Sequence, residues 1–176
     1  MFCTAIFVIL ATFSLSFASI LQTRDGLTAN NLEQILFGAA LSYHALGENI
    51  RLTGSSGHDG THVLSAYDTI LGDWEALPIP KGRTLFPKEV QLALCDAETT
   101  AVLQMLEVLT LLKLNKKAFT SSEISAIASL IKKDMDEDKV FAPSLVPYVP
   151  ECAGVIGTNG NATQTSFAAA WEDYGS

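Results

Sequence analysis

The chain has 176 residues and a formal net charge of −8, from 11 Lys and Arg against 19 Asp and Glu. It carries no basic cluster longer than a pair, which argues against a nucleic-acid-binding face. The length suits one domain large enough to bury its own core.

Met1 to Ala18 contains no charged side chain, and Ile6 to Leu10 is a continuous apolar run. Ser16 and Ala18 place small residues at −3 and −1 of a cleavage site. Residues 1–18 therefore read as a secretory signal, cut between Ala18 and Ser19, ahead of a single helical domain over 19–176. The expected destination is extracellular or the cell wall, with no stable membrane span after cleavage. Of three cysteines, Cys3 leaves with the signal. Cys95 and Cys152 remain, and an even pair in an oxidising compartment predicts a disulfide. Closing so long a loop contributes about 4 kcal/mol on a chain-entropy account.

From Thr28, Leu32, Ile35, Leu36, Ala39, Tyr43, Leu46 and Ile50 recur at steps of three and four, predicting a helix that ends at Gly54. Val63, Tyr67, Ile70, Leu71 and Trp74 form a second helical face, closed by Pro78 and Pro80. Between them, "HDGTH" places His58 and His62 at metal-ligand spacing, with Asp59 or Asp68 as a third donor. Gly57 and Gly60 make this a loop instead, with Asp59 as a cap, and no metal is expected.

The third helix is predicted from Pro87 to about Leu114, on the order of 40 Å long. Val90, Leu94, Ala97, Ala101, Met105, Val108 and Leu112 make one stripe. Leu92, Leu103, Leu106, Leu111 and Leu114 fall outside it. A surface helix keeps one apolar stripe. This one is expected to face neighbours on several sides, or to line something that is not protein.

"NKKAFTSSEISAI", residues 115–127, reads as a joint. Thr120 and Glu123 have capping-box spacing, and Phe119 and Ile124 have staple spacing. Lys113, Lys116 and Lys117 suit the carbonyl end of the preceding helix. So short a joint predicts antiparallel neighbours. The fourth helix is expected from Thr120 to about Asp138, with Ile124, Ile127, Ala128 and Ile131 inward. Its "DMDED" end fails as a calcium loop, because Lys139 and Leu145 stand where glycine and glutamate belong. It reads as a solvated acidic helix end. Pro143, Pro147 and Pro150 with Gly154, Gly157 and Gly160 predict an irregular stretch. A last short helix follows, with Phe167, Ala170, Trp171 and Tyr174 on one face. Asn161-Ala162-Thr163 is a glycosylation sequon, predicting a glycan on Asn161. The fold class is all-α, a bundle of about five helices with a long central helix at about 87–114.

Lys116-Lys117-x-Phe119, a capped helix with isoleucines at 124, 127 and 131, later prolines and a terminal "SFAAAWEDY" together resemble a known family. It is the fungal hydrophobic surface-binding protein A family, also called cell-wall galactomannoproteins. Arg24-Asp25 near the mature start fits the same pattern. The resemblance implies a secreted or wall-associated, non-enzymatic helical mannoprotein that binds hydrophobic surfaces or fatty-acid-like lipids. It implies no cofactor; a wall polysaccharide or a secreted enzyme are further partners it admits. This chain departs from the family pattern in its cysteine pair, its Pro- and Gly-rich 143–160 stretch and its lack of a long Ser/Thr-rich tail. The residues expected to meet lipid are Phe37, Tyr43, Tyr67, Leu71, Leu103, Leu106, Ile127, Ile131, Phe167 and Trp171. The competing expectation is a secreted protein-interaction module, host-directed or enzyme-recruiting, without lipid binding.

Overall fold

A computed structural model of the chain describes residues 29–57, 59–75 and 85–175. The expected signal, its cleavage site at Ala18 and Ser19, Arg24-Asp25, His58, Pro78 and Pro80 lie outside the described residues. Five α-helices form among the described residues: α1 (Ala29–Ser56), α2 (Thr61–Glu75), α3 (Lys88–Asn115), α4 (Ser121–Leu145) and α5 (Ala153–Gly175). Tight helical turns at Lys116–Ala118 and Pro150–Cys152 join the last three. No strand occurs among the described residues, and the all-α bundle with its long third helix is as the periodicity predicts.

The helices close a ring. The main neighbours of α1 are α2 and α3; those of α4 are α2 and α5; and α5 also packs on α3. Helices α1, α3 and α5 run one way. His44 meets Gln104 while Arg51 meets Glu107, and Asn159 meets Glu98 while Tyr174 meets Leu112. Helices α2 and α4 run the other way, with Gly60 against Phe119 and Glu123 and Trp74 against Phe141. So α3 and α4 are antiparallel as expected but are not principal neighbours. Each has its large apolar face turned to other helices.

The joint forms as its spacing requires. The Thr120 N–H donates to Glu123 Oε2 at 2.7 Å, and the Glu123 N–H donates back to Thr120 Oγ1 at 3.3 Å. Phe119 is buried and, with Ile124, joins the main core. Two glycines that look like helix breakers serve close approach here. A Cβ on Gly54 would lie 1.8 Å from Asn115 Oδ1, and one on Gly60 would lie 2.8 Å from the Phe119 ring. Helix α1 therefore continues through Gly54 to Ser56, correcting the expected stop.

The expected irregular stretch is mostly helix. Helix α4 runs past Asp138 to Leu145 with Pro143 inside it, because Ala142 and Leu145 still have a core to enter. Pro143 is exposed and in the last turn, so few helical bonds depend on it. Helix α5 begins at Ala153, takes in Gly154, Gly157 and Gly160, and is 23 residues long, not short. Each interior glycine costs about 1 kcal/mol of helix propensity relative to alanine. Tertiary contacts offset this: Ile156 is buried, and Cys152, just ahead of the helix, is bonded to Cys95.

Two apolar clusters fill the ring. The larger gathers Tyr43, Leu46, Tyr67, Leu112, Ile131 and Phe167 with their neighbours. The second, at the opposite end, packs Leu32, Leu36, Leu94, Leu145, Tyr148 and Ile156 around the disulfide. There Gln91 is buried and acts as a clamp. Its Nε2 donates to Phe86 O at 2.7 Å, and its Oε1 accepts from the Glu151 N–H at 3.1 Å.

Loss of the cap at the joint should be felt globally. Thr120→Ala is expected to lower stability by about 1 kcal/mol, and Thr120→Ser to keep most of it. Denaturant midpoints of the three proteins check this; an unchanged midpoint in the alanine variant would mean that α4 starts elsewhere.

Candidate functional site

Between the two apolar clusters lies a cavity of about 660 Å³. Glu75, the last described residue of α2, lies beside the middle of α4, where it pairs with Lys133. Across the ring, α1 and α3 meet through Ala39, Ala40 and Ala101, which bring the backbones together and leave volume unfilled. Leu36, Trp74, Val102, Met105 and Phe141 supply the apolar wall. Trp74 stands edge-on to Phe141 with ring centroids 4.7 Å apart.

The floor is polar and is built around Asp134. This residue is 2% exposed. Tyr43 Oη donates to its Oδ1 at 2.9 Å, and Tyr67 Oη donates to its Oδ2 at 2.9 Å. Trp74 Nε1 donates to Tyr43 Oη at 3.2 Å, so one chain of bonds links α1, α2 and α4. Burial pushes the Asp134 carboxyl up to about 7 against the pull of the two hydroxyls, and the charges of Asp138 and Glu137 add to the rise. Burial, then the Asp134 charge, also hold both tyrosines well above the usual phenol range.

Further carboxylates line the same space. Glu98 on α3 is buried, takes a 2.6 Å bond from Asn159 Nδ2, and is raised by that burial. Asp138 accepts from Thr163 Oγ1 and Gln164 Nε2, both at 2.8 Å. Glu137 is raised by partial burial, and its Oε2 is enclosed with no hydrogen-bond partner among the described residues. Two lysines sit at the rim. Lys132 is paired with Asp136, and Lys133 with Glu75 at 2.9 Å.

Of the ten residues expected to meet lipid, Tyr43 lines this cavity. Tyr67, Leu71, Ile127, Ile131 and Phe167 are packed in the larger cluster. Leu106 is half-buried at its edge. Phe37, Leu103 and Trp171 are exposed. The surplus leucines of α3 divide in the same way, with Leu92, Leu103 and Leu114 facing out and Leu111 packed beside the core.

Asp134 is the residue that sequence reasoning missed: "DMDED" was expected to be solvated, yet its first residue is the most enclosed acid of the cavity. A signal was present. Ile127, Ile131, Asp134 and Asp138 follow one helical phase, and α4 does not end where the acids begin. Asp59 caps α2 by accepting from the Thr61 N–H at 2.9 Å, and no group of donors among the described residues could hold a metal ion. Asn161 is exposed on α5, whereas Thr163 of its sequon is buried with its hydroxyl on Asp138.

No protein-family model, no curated protein and no solved structure matches the chain. No helix among the described residues is long and apolar enough to cross a membrane.

The Asp134 cluster gives the fold a pH signature. The folded-state value is raised, so between about pH 4 and about 7 the folded protein holds a proton that the unfolded chain has released. The stability this contributes is complete below that window and is lost as pH rises through it. Glu98 and Glu137 are shifted the same way. Stability is expected to fall on the order of 3 kcal/mol from pH 4.5 to 7.5, and Asp134→Asn to flatten the curve. Denaturant titrations at stepped pH read this out; a wild-type curve that rises over the window would contradict it.

Proposed function

We infer that the chain is a secreted, non-catalytic binding protein that takes an apolar, acyl-chain-like small molecule into the cavity between its two core clusters. The carrying observation is the cavity itself. Its volume of about 660 Å³ falls within the roughly 300–1,000 Å³ typical of ligand pockets. Its wall is aromatic and aliphatic with a few convergent polar groups, the composition that such sites share. Burying an acyl chain there yields about 0.8 kcal/mol per methylene. The family resemblance at residues 116–131 and 166–174 points to the same activity and to an extracellular or wall location.

A second reading is favoured by the outer face. Phe37 and Leu41 lie one turn apart on α1 and are about half exposed, at 47% and 51%. They suit contact with a hydrophobic surface or a protein partner, without use of the cavity.

A cavity-filling change separates the two. Val102 lines the space and is nearly buried. Val102→Phe is expected to raise stability, by about 0.5–2 kcal/mol as cavity-filling changes commonly do. It should also weaken binding of dodecanol to the delipidated protein by at least about tenfold, a loss of about 1.4 kcal/mol. Thermal melts and calorimetry measure the two effects. A destabilised variant with unchanged affinity, or a folded wild type that binds no apolar ligand, would favour the outer-face reading.

A further inference from the structure

The two sides of the bundle differ in polarity. Helix α3 is the middle of a layer of three, with α1 on one flank and α5 on the other. Eight of the ten exposed large apolar side chains among the described residues belong to these three helices, and α2 and α4 together carry only Val140. On α3 they are Leu92, Leu103 and Leu114, exposed by 51%, 59% and 74%. They recur every eleven residues, which is three helical turns and a drift of about 20°. All three therefore stand on one outward stripe about 33 Å long. Helix α1 widens it with Phe37, which shares the helical phase of His44 and Arg51, the residues that reach across to Gln104 and Glu107 on α3. On the other flank, residues 153–171 of α5 include no charged side chain. A contiguous apolar strip of this kind marks a docking face.

The charges at its ends indicate what docks there. Fourteen residues before Leu103 stands Glu89, and fourteen after it stands Lys117, in the tight turn that follows α3. Both are exposed, and neither has an ion-pair partner among the described residues. A second α3 laid antiparallel on the first, with a two-fold axis at Leu103, sets Leu103 on Leu103, Leu92 on Leu114 and Glu89 on Lys117, the last two contacts each made twice. Asp96 then faces Thr110 and Glu107 faces Thr99, so no outward acid of α3 meets another. A parallel pairing would instead set Glu89, Asp96 and Lys117 each against itself, with the helix dipoles aligned unfavourably. A bare apolar surface would cover the leucines and leave Glu89 and Lys117 without counterparts. Another copy of the same chain supplies both.

We propose that the outer face of α3 is a self-association surface, on which two copies of this chain pair antiparallel about Leu103. The cavity is left open, since the exposed residues at its border, Ser129, Asp136 and Val140, are on α4, across the ring from this face. The pairing therefore does not depend on the cavity function inferred above.

Sedimentation velocity over a dilution series of the mature protein at low salt tests the pairing, with a mass that doubles reversibly in the micromolar range as the expected result. Leu103→Glu sets two carboxylates against each other at the axis and should give a monomer throughout. Val140→Glu, at a position 58% exposed on α4, adds the same charge elsewhere and should leave the mass unchanged. Circular dichroism and thermal melts check that both variants are folded. Glu89→Lys and Lys117→Glu each make both end contacts repulsive, and each should weaken association about tenfold at low ionic strength. An equimolar mixture of these two variants should regain it, because in a mixed pair the two new charges face each other and the two native ones do likewise. A wild type that stays monomeric at every concentration, or a dimer that Leu103→Glu leaves intact, overturns the proposal. If that monomer instead adsorbs to octyl-coated beads and Leu103→Glu abolishes the adsorption, a foreign apolar surface is the occupant. A dimer lost in Leu103→Glu but not regained in the mixture overturns the antiparallel arrangement.

Discussion

A carboxyl group buried beneath two tyrosine hydroxyls sets the terms for the rest of this bundle. Asp134 cannot be solvated by water, so its environment must supply donors or keep it protonated. The ring does both. Tyr43 comes from α1 and Tyr67 from α2, while the acid is on α4. Three helices are thereby fixed in register by directional bonds between buried groups. A shift of one helical turn in any of them would strand a hydroxyl or the carboxyl. Apolar side chains alone would tolerate such a shift far better, since their contacts are not directional.

The opposite end is held by different means. The Cys95–Cys152 bond and the Gln91 clamp attach the start of α3 to the turn between α4 and α5. The base is held by the capping box, by Tyr174 Oη on Leu112 O at 2.7 Å, and by Lys113 with Asp173 at 3.2 Å. With both ends fixed, the middle need not be filled for the helices to stay in place. This is how a cavity of about 660 Å³ persists where close packing is the norm. The small alanines where α1 meets α3 help to decide where it falls.

Much of this was legible in the chain. The capping box at Thr120 and Glu123, the cysteine pairing and the five-helix class all rest on short-range spacing or simple chemistry, and these survive into the structure. Helix ends and facings were less legible for one common reason. Gly54, Pro143 and Gly154 to Gly160 carry local preferences of a few kcal/mol at most, and burial of Leu145 and Ile156 overrides them. Trp171 and Leu103 were misplaced relative to the interior because periodicity gives a face but not what that face meets. The acidic wall was hidden by composition: charged runs are usually solvated, and only the helical phase shared with Ile127 and Ile131 marks Asp134 as inward.

The ring order also bears on how the chain can reach this state. Two of the parallel pairings, α1 with α3 and α3 with α5, join segments about sixty residues apart, as His44 with Gln104 and Asn159 with Glu98 show. Simple up-and-down bundles acquire their contacts between consecutive helices and fold fast. Here the best partner of α1 is made only after α2 and the whole of α3 have emerged. The early chain must therefore carry an unsheltered apolar face through synthesis, a period of exposure set by topology and not by stability.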